Sequence, residues 1–206
     1  IVAIISNAVT IADAGAFSAS LGSQVLIKTL TASNDGTLSF VDGASGVVLD
    51  NTYPIYKIEI IGVHPSADNR DLDFNVSIDG GTNYNVAKTT TTFYTYHVEG
   101  GGTSSLEYNP YADLGNGTGF QEIMENVGGD NDQTGSGEMF LFSPSSTTFV
   151  KHFTVRTTHY SANNYNKHSY IGGFANTTSA VNAIQFKFSA DQIATGTIKL
   201  YGIKDS

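Results

Sequence analysis

The stretch LDFNVSI at 72–78 alternates apolar and polar residues without a break. Successive side chains of a strand point to opposite faces. Leu72, Phe74, Val76 and Ile78 therefore share a buried face, and Asp73, Asn75 and Ser77 share the other. YKIEI at 56–60 repeats the pattern, with Tyr56, Ile58 and Ile60 inward and Lys57 and Glu59 outward. AIQFKF at 183–188 turns Ile184, Phe186 and Phe188 in, and TIKLYGI at 197–203 turns in Ile198 and Leu200.

Further strand-like runs are QVLIKTL, TLSFV, TTFYTYHVE, EMFLF, FVKHFTVRTT and YIGGFA. MFLF is apolar on both faces and belongs centrally or beneath a neighbour. Turn signals divide the runs: NDG at 34–36, DGG at 79–81, GGG at 100–102, GNG at 115–117 and GGDND at 128–132. About a dozen strands at roughly ten-residue spacing read as an all-β, single-domain antiparallel sandwich, jelly-roll-like. Two segments sit less easily in that scheme. TGFQEIMEN at 118–126 has some helical spacing, but Gly119 weakens a helix and strand or irregular structure is expected. ADQIA at 190–194 reads as a single helical turn.

No linker divides the chain. Residues 1–22 form an N-terminal arm or edge strand, and 23–206 the sandwich domain. The opening IVAIISNAVTIADAGAF has no basic leader, and Asp13 interrupts it, so it is too short and too mixed to span a bilayer. The chain begins at Ile1 rather than Met, as expected either of a processed or truncated chain or of numbering that starts part-way along the protein.

Composition excludes several functions. Charged residues make up 14% of the 206, against roughly 25% in average proteins, and the net charge is −9. The ten Lys and Arg form no cluster, so neither nucleic acid nor an anionic membrane is an expected partner. There is no Cys, hence no disulfide and no thiol chemistry.

Three features of the sequence bear on chemistry. Asp130, Asp132 and Thr134 have the spacing of a calcium loop, but the twelfth position is Leu141 where a bidentate Glu is needed. Asp130, Asp132 and Glu138 remain the calcium candidates, set against an ordinary solvated acidic turn; no other cofactor is expected. SIDGGTNY at 77–84 resembles a degenerate Asp-box and reads as a structural tight hairpin. The five histidines lack the short paired spacing of a zinc site and read as surface residues. No G-x-S-x-G or H-E-x-x-H motif occurs, and no carboxylate pair stands out, so no catalytic residue is assigned.

Two loops carry recognition chemistry: Tyr108, Asn109 and Tyr111 in one, and Tyr160, Asn163, Asn164, Tyr165 and His168 in the other. Tyr offers rigid contact area and Asn adaptable hydrogen bonds, a pairing suited to receptor or glycan contact. The plain alternative is that Tyr and Asn fill loops in a lysine-poor protein.

IYKIEIIGVHPSAD, SIDGGTNYNVAKTTTTFYTYH, FLFSPSSTTFVKHFTVRTTHY, FANTTSAVNAIQFKFS and GTIKLYGI together resemble tail-fibre-like and other structural proteins of marine phages, especially phages of cyanobacteria. The resemblance runs from about Tyr56 to Ile203. It implies a non-enzymatic virion protein on the particle exterior, either a tail fibre or receptor-binding module or a capsid decoration. Assembly proteins commonly close into rings or trimers by burying apolar edges between subunits, so a homo-oligomer, a trimer by preference, in contact with other virion proteins is expected. The alternatives are a carbohydrate-binding module for host-surface glycan and, third, a jelly-roll polysaccharide-degrading enzyme.

Overall fold

The computed structural model describes residues 23–204. Of the first 22 residues it describes only the backbone of three short strands, β1 (Ile4–Ser6), β2 (Val9–Asp13) and β3 (Ala16–Phe17), which pair antiparallel in that order. The rest of the arm or edge strand expected over 1–22 lies outside the described residues. Every further element is a strand, all pairings are antiparallel, and no helix occurs among the described residues.

Eight strands pair as one long hairpin rolled on itself. β4 (Gln24–Thr31) pairs with the last strand, β16 (Ile193–Ile203). β5 (Leu38–Val41) pairs with β15 (Ala183–Phe188), β6 (Ile55–Pro65) with β12 (Gly135–Phe142), and β7 (Arg70–Ser77) with β11 (Gln121–Val127). Rolling lays β16 against β6 and β15 against β7. The result is two layers, β4-β16-β6-β12 and β5-β15-β7-β11, which is the jelly-roll arrangement.

Two insertions widen the first layer. β8 (Lys88–Val98), β9 (Ser104–Tyr108) and β10 (Gly115–Gly117) come between β7 and β11. β13 (Lys151–Ser161) and β14 (Tyr165–Ala175) come between β12 and β15. They add β13, β14 and β8 beyond β12, with β9 and β10 along the far edge of β8. The first layer is thus about twice as wide as the second and carries a wing. One bridge, Val127 to Ser161, joins the layers at their shared corner and nearly closes them into a barrel.

The alternating residues build the core as expected. Leu72, Phe74, Val76, Tyr56, Ile58, Ile60, Ile184, Phe186, Ile198 and Leu200 are all buried. Phe74 of one layer meets Phe153 of the other edge-to-face, with ring centroids 5.1 Å apart. Met139 and Leu141 of the MFLF run are buried, while Phe140 and Phe142 lie half-buried on the outer face of a central strand.

Four details differ from expectation. Ile78 is exposed, because β7 ends at Ser77. Asn75 and Ser77 are buried, because the chain at 84–88 and 118–119 crosses that face and accepts hydrogen bonds from Asn75. SIDGGTNY closes a tight turn, with Ser77 Oγ donating to Asp79, but the chain then crosses to the other layer rather than returning as a hairpin. ADQIA forms no helical turn: Asp191 takes φ 62° and β16 begins at Ile193. Within 118–126 the chain enters strand β11 at Gln121, in keeping with the expected strand or irregular structure.

Candidate functional site

The outer face of the widened layer is a ladder of aligned side chains. One row runs Lys199, Glu59, Glu138, Arg156, Tyr170, Phe93 and Tyr108 across seven strands. The next row toward one end runs Lys57, Phe140, Thr154, Gly172 and Thr91. Charges gather over the roll and aromatics over the wing.

Between these rows lies an open slot of about 430 Å³. Phe93 and Tyr170 form one wall, stacked with centroids 4.9 Å apart and planes 10° from parallel. His168 stacks on Tyr170 at 4.7 Å, making a three-ring column. Phe140 stands on the other side, and Thr91, Thr154 and Gly172 supply a low floor. A Cβ built on Gly172 would meet nothing within 4 Å, so the floor is open because that residue is glycine.

An ion-pair network closes one end. Arg156 donates to Glu138 at 2.7 Å, Lys57 reaches Glu138 at 3.4 Å, and Lys57 donates to Glu59 at 3.0 Å. Glu59 and Lys57 lie partly screened by solvent. The Lys57 hydrogen bond, the largest cause, holds the Glu59 carboxyl below the usual range. Beyond the pair a second hollow of about 560 Å³ is lined by Ile61, Ser136, Thr158 and His168. His168 Nε2 is buried there without a hydrogen-bond partner in the protein.

An apolar ring wall beside fixed polar groups is the composition of a small-molecule site. Because Tyr170 stacks on both Phe93 and His168, the slot meets mainly ring edges, whose apolar C–H groups can pack against a pyranose, while Arg156, Glu138 and the threonine hydroxyls suit its hydroxyl groups. Compared with known proteins, the chain matches no family model and no curated protein.

The two loops singled out from the sequence are not brought together. Tyr108 sits beside Phe93 at the slot's outer margin, its hydroxyl donating to Asp113. Asn109 is buried and structural: its N–H donates to Thr92 O, and its Oδ1 accepts from the Tyr111 N–H. Tyr111 is 97% exposed. Tyr160 faces outward and donates to Glu99, whereas Tyr165 packs on Tyr96 at 5.2 Å on the inward face. Asn163 and Asn164 form the β13–β14 turn, with Asn164 at φ 57°. Only His168 and Tyr108 border the slot.

Asp130 and Asp132 occupy an exposed turn, while Glu138 lies in the ion-pair network on β12. Among the described residues no three His, Asp or Glu side chains are placed to hold a metal ion. The histidines are not all superficial: His159 is buried, its Nε2–H donating to Glu125 O at 2.6 Å. Burial pushes its pKa down to about 4. Sequence reading missed Phe93, Tyr170, Phe140 and Arg156 as site residues. Their alternation within TTFYTYHV, SYIGG, EMFLF and FTVRTT was the available signal, but their meeting depends on strand register.

Proposed function

We propose that this chain is a non-catalytic structural protein of a phage particle exterior, a receptor-binding module or capsid decoration, and that its contact is glycan held in the outer-face slot. The resemblance from Tyr56 to Ile203 supports the particle assignment. The observation that carries the contact is the exposed column His168–Tyr170–Phe93 beside the Arg156–Glu138 pair. A sugar laid against that wall exchanges weakly bound water for ring contact and keeps its hydroxyls bonded.

A glycan array with the purified chain tests the contact. Binding is expected, and Tyr170→Ala or Phe93→Ala weakens it about fivefold, since losing one aromatic contact costs on the order of 1 kcal/mol. No glycan retained by the wild-type chain removes the glycan reading. Proteomics and labelling of purified virions test the particle assignment and place the protein on head or tail; absence from virions removes it. Release of shortened polysaccharide during the incubation would make the chain a degrading enzyme instead.

A further inference from the structure

Lys88 is fully buried, and among the described residues no carboxylate pairs with it. Its Nζ lies 2.5 Å from Asn75 Oδ1 and 3.0 Å from Val86 O. An ammonium buried without a counterion is costly, and burial pushes the Lys88 pKa down to about 8. A useful fraction is then the neutral, nucleophilic amine.

Asn75 is fully buried too, and its amide is held at both ends. Nδ2 donates to Tyr84 O at 2.7 Å and to Thr118 O at 3.1 Å. Oδ1 accepts the Val76 backbone N–H at 2.8 Å. The amide is therefore fixed in orientation, with its carbonyl polarised by a backbone donor and an amine against it.

We infer that Lys88 and Asn75 join in an intramolecular isopeptide bond. The Nζ lone pair attacks Asn75 Cγ, and the carbonyl electron pair moves to Oδ1, where the Val76 N–H stabilises the developing charge. A proton passes from Nζ to Nδ2, the Cγ–Nδ2 bond breaks, and ammonia leaves. The products are one secondary amide and one ammonia, with no oxidant, reductant or cofactor. Fixed proximity supplies the rate.

The location gives the bond a purpose. Asn75 is on β7 of the narrow layer and Lys88 begins β8 of the wing. The bond ties the crossover between them and anchors the wing to the roll, in a chain that has no Cys for a disulfide. Lys151 is the internal contrast. It is equally buried, but its Nζ donates only to the backbone carbonyls of Phe149 and Thr177 and has no amide to attack.

The test is the intact mass of the purified full chain, with its fold checked by circular dichroism. The expected mass is lighter than the sequence by one ammonia, about 17 Da, and a proteolytic map contains a branched peptide carrying residues 75 and 88. A succinimide at Asn116–Gly117 would shed the same mass, so Lys88→Arg is the control. That variant restores the full mass if the bond is real. An unshifted mass in folded wild-type protein after prolonged warm incubation overturns the inference. So does a deficit that persists in Lys88→Arg.

Discussion

At the residue scale, two adjacent glycines on β14 do opposite jobs. Gly172 faces outward into open space and floors the slot. Gly173 faces the other way, where a Cβ would come within 2.6 Å of Thr89 O. Gly172→Val adds a β-branched side chain to a strand that has room for it, so stability holds or rises by up to about 1 kcal/mol. The same valine fills the slot, and glycan retention is lost. Gly173→Ala crowds the neighbouring strand and costs about 1–3 kcal/mol. Thermal melting of both variants beside the glycan assay separates the roles. A Gly172→Val chain that still binds glycan at full strength would place the contact elsewhere. The pair GG was visible in the sequence only as two small residues in a strand. Which face each occupied depended on where β14 meets β13 and β8.

At the element scale, the outer face of the narrow layer carries a row of charge: Lys187 on β15, Asp73 on β7 and Glu122 on β11. Burial, aided by neighbouring carboxylates, pushes Glu122 up to about 8; burial, aided by Asp71, pushes Asp73 up to about 7. A carboxyl raised in the folded state contributes stability that is intact below its unfolded pKa. That stability is lost as pH rises through the folded value. For Glu122 the window runs from about 4.5 to about 8. His159 works in the opposite direction, costing stability as pH falls from 6.5 to about 4. Comparing wild type with Glu122→Gln cancels the groups not coupled to Glu122, His159 among them. The variant is expected to match wild type near pH 4.5 and to exceed it near pH 8.5. The gain is on the order of 2 kcal/mol once water reaching the half-buried carboxyl is allowed for. Urea denaturation at the two pH values measures the difference; an equal gain at both would mean that Glu122 does not titrate in this way. The strands themselves were legible wherever residues alternated, as at 56–60, 72–76 and 183–188. The raised carboxyls were not, because Glu122 and Asp73 look solvent-facing by alternation and become half-buried only through packing.

At the scale of the whole molecule, the jelly roll followed from strand number, turn spacing and a two-residue period, but the wing did not. β8, β13 and β14 have the same composition as the strands of the roll, and only pairing shows that they extend one layer beyond the other. That extension leaves a free edge at β9, a five-residue strand with no partner on its outer side among the described residues. Leu106 is 67% exposed and Tyr108 61%, with Tyr111 just beyond. Apolar side chains at an unpaired edge are an aggregation hazard unless something covers them. A second copy of the chain is the expected cover, because symmetric homo-oligomers close by burying such patches against one another. These three side chains fall short of the ~800 Å² per partner that a stable interface needs, so neighbouring wing surface must join them. Light scattering of the native chain is therefore expected to report a homo-oligomer, with a trimer as the closed form. Leu106→Asp, at a position that contributes nothing to the core, shifts the mass toward monomer while the far-ultraviolet β signal stays unchanged. If the wild-type chain is monomeric at every concentration tested, the exposed edge does not bind a second copy, and the trimer falls.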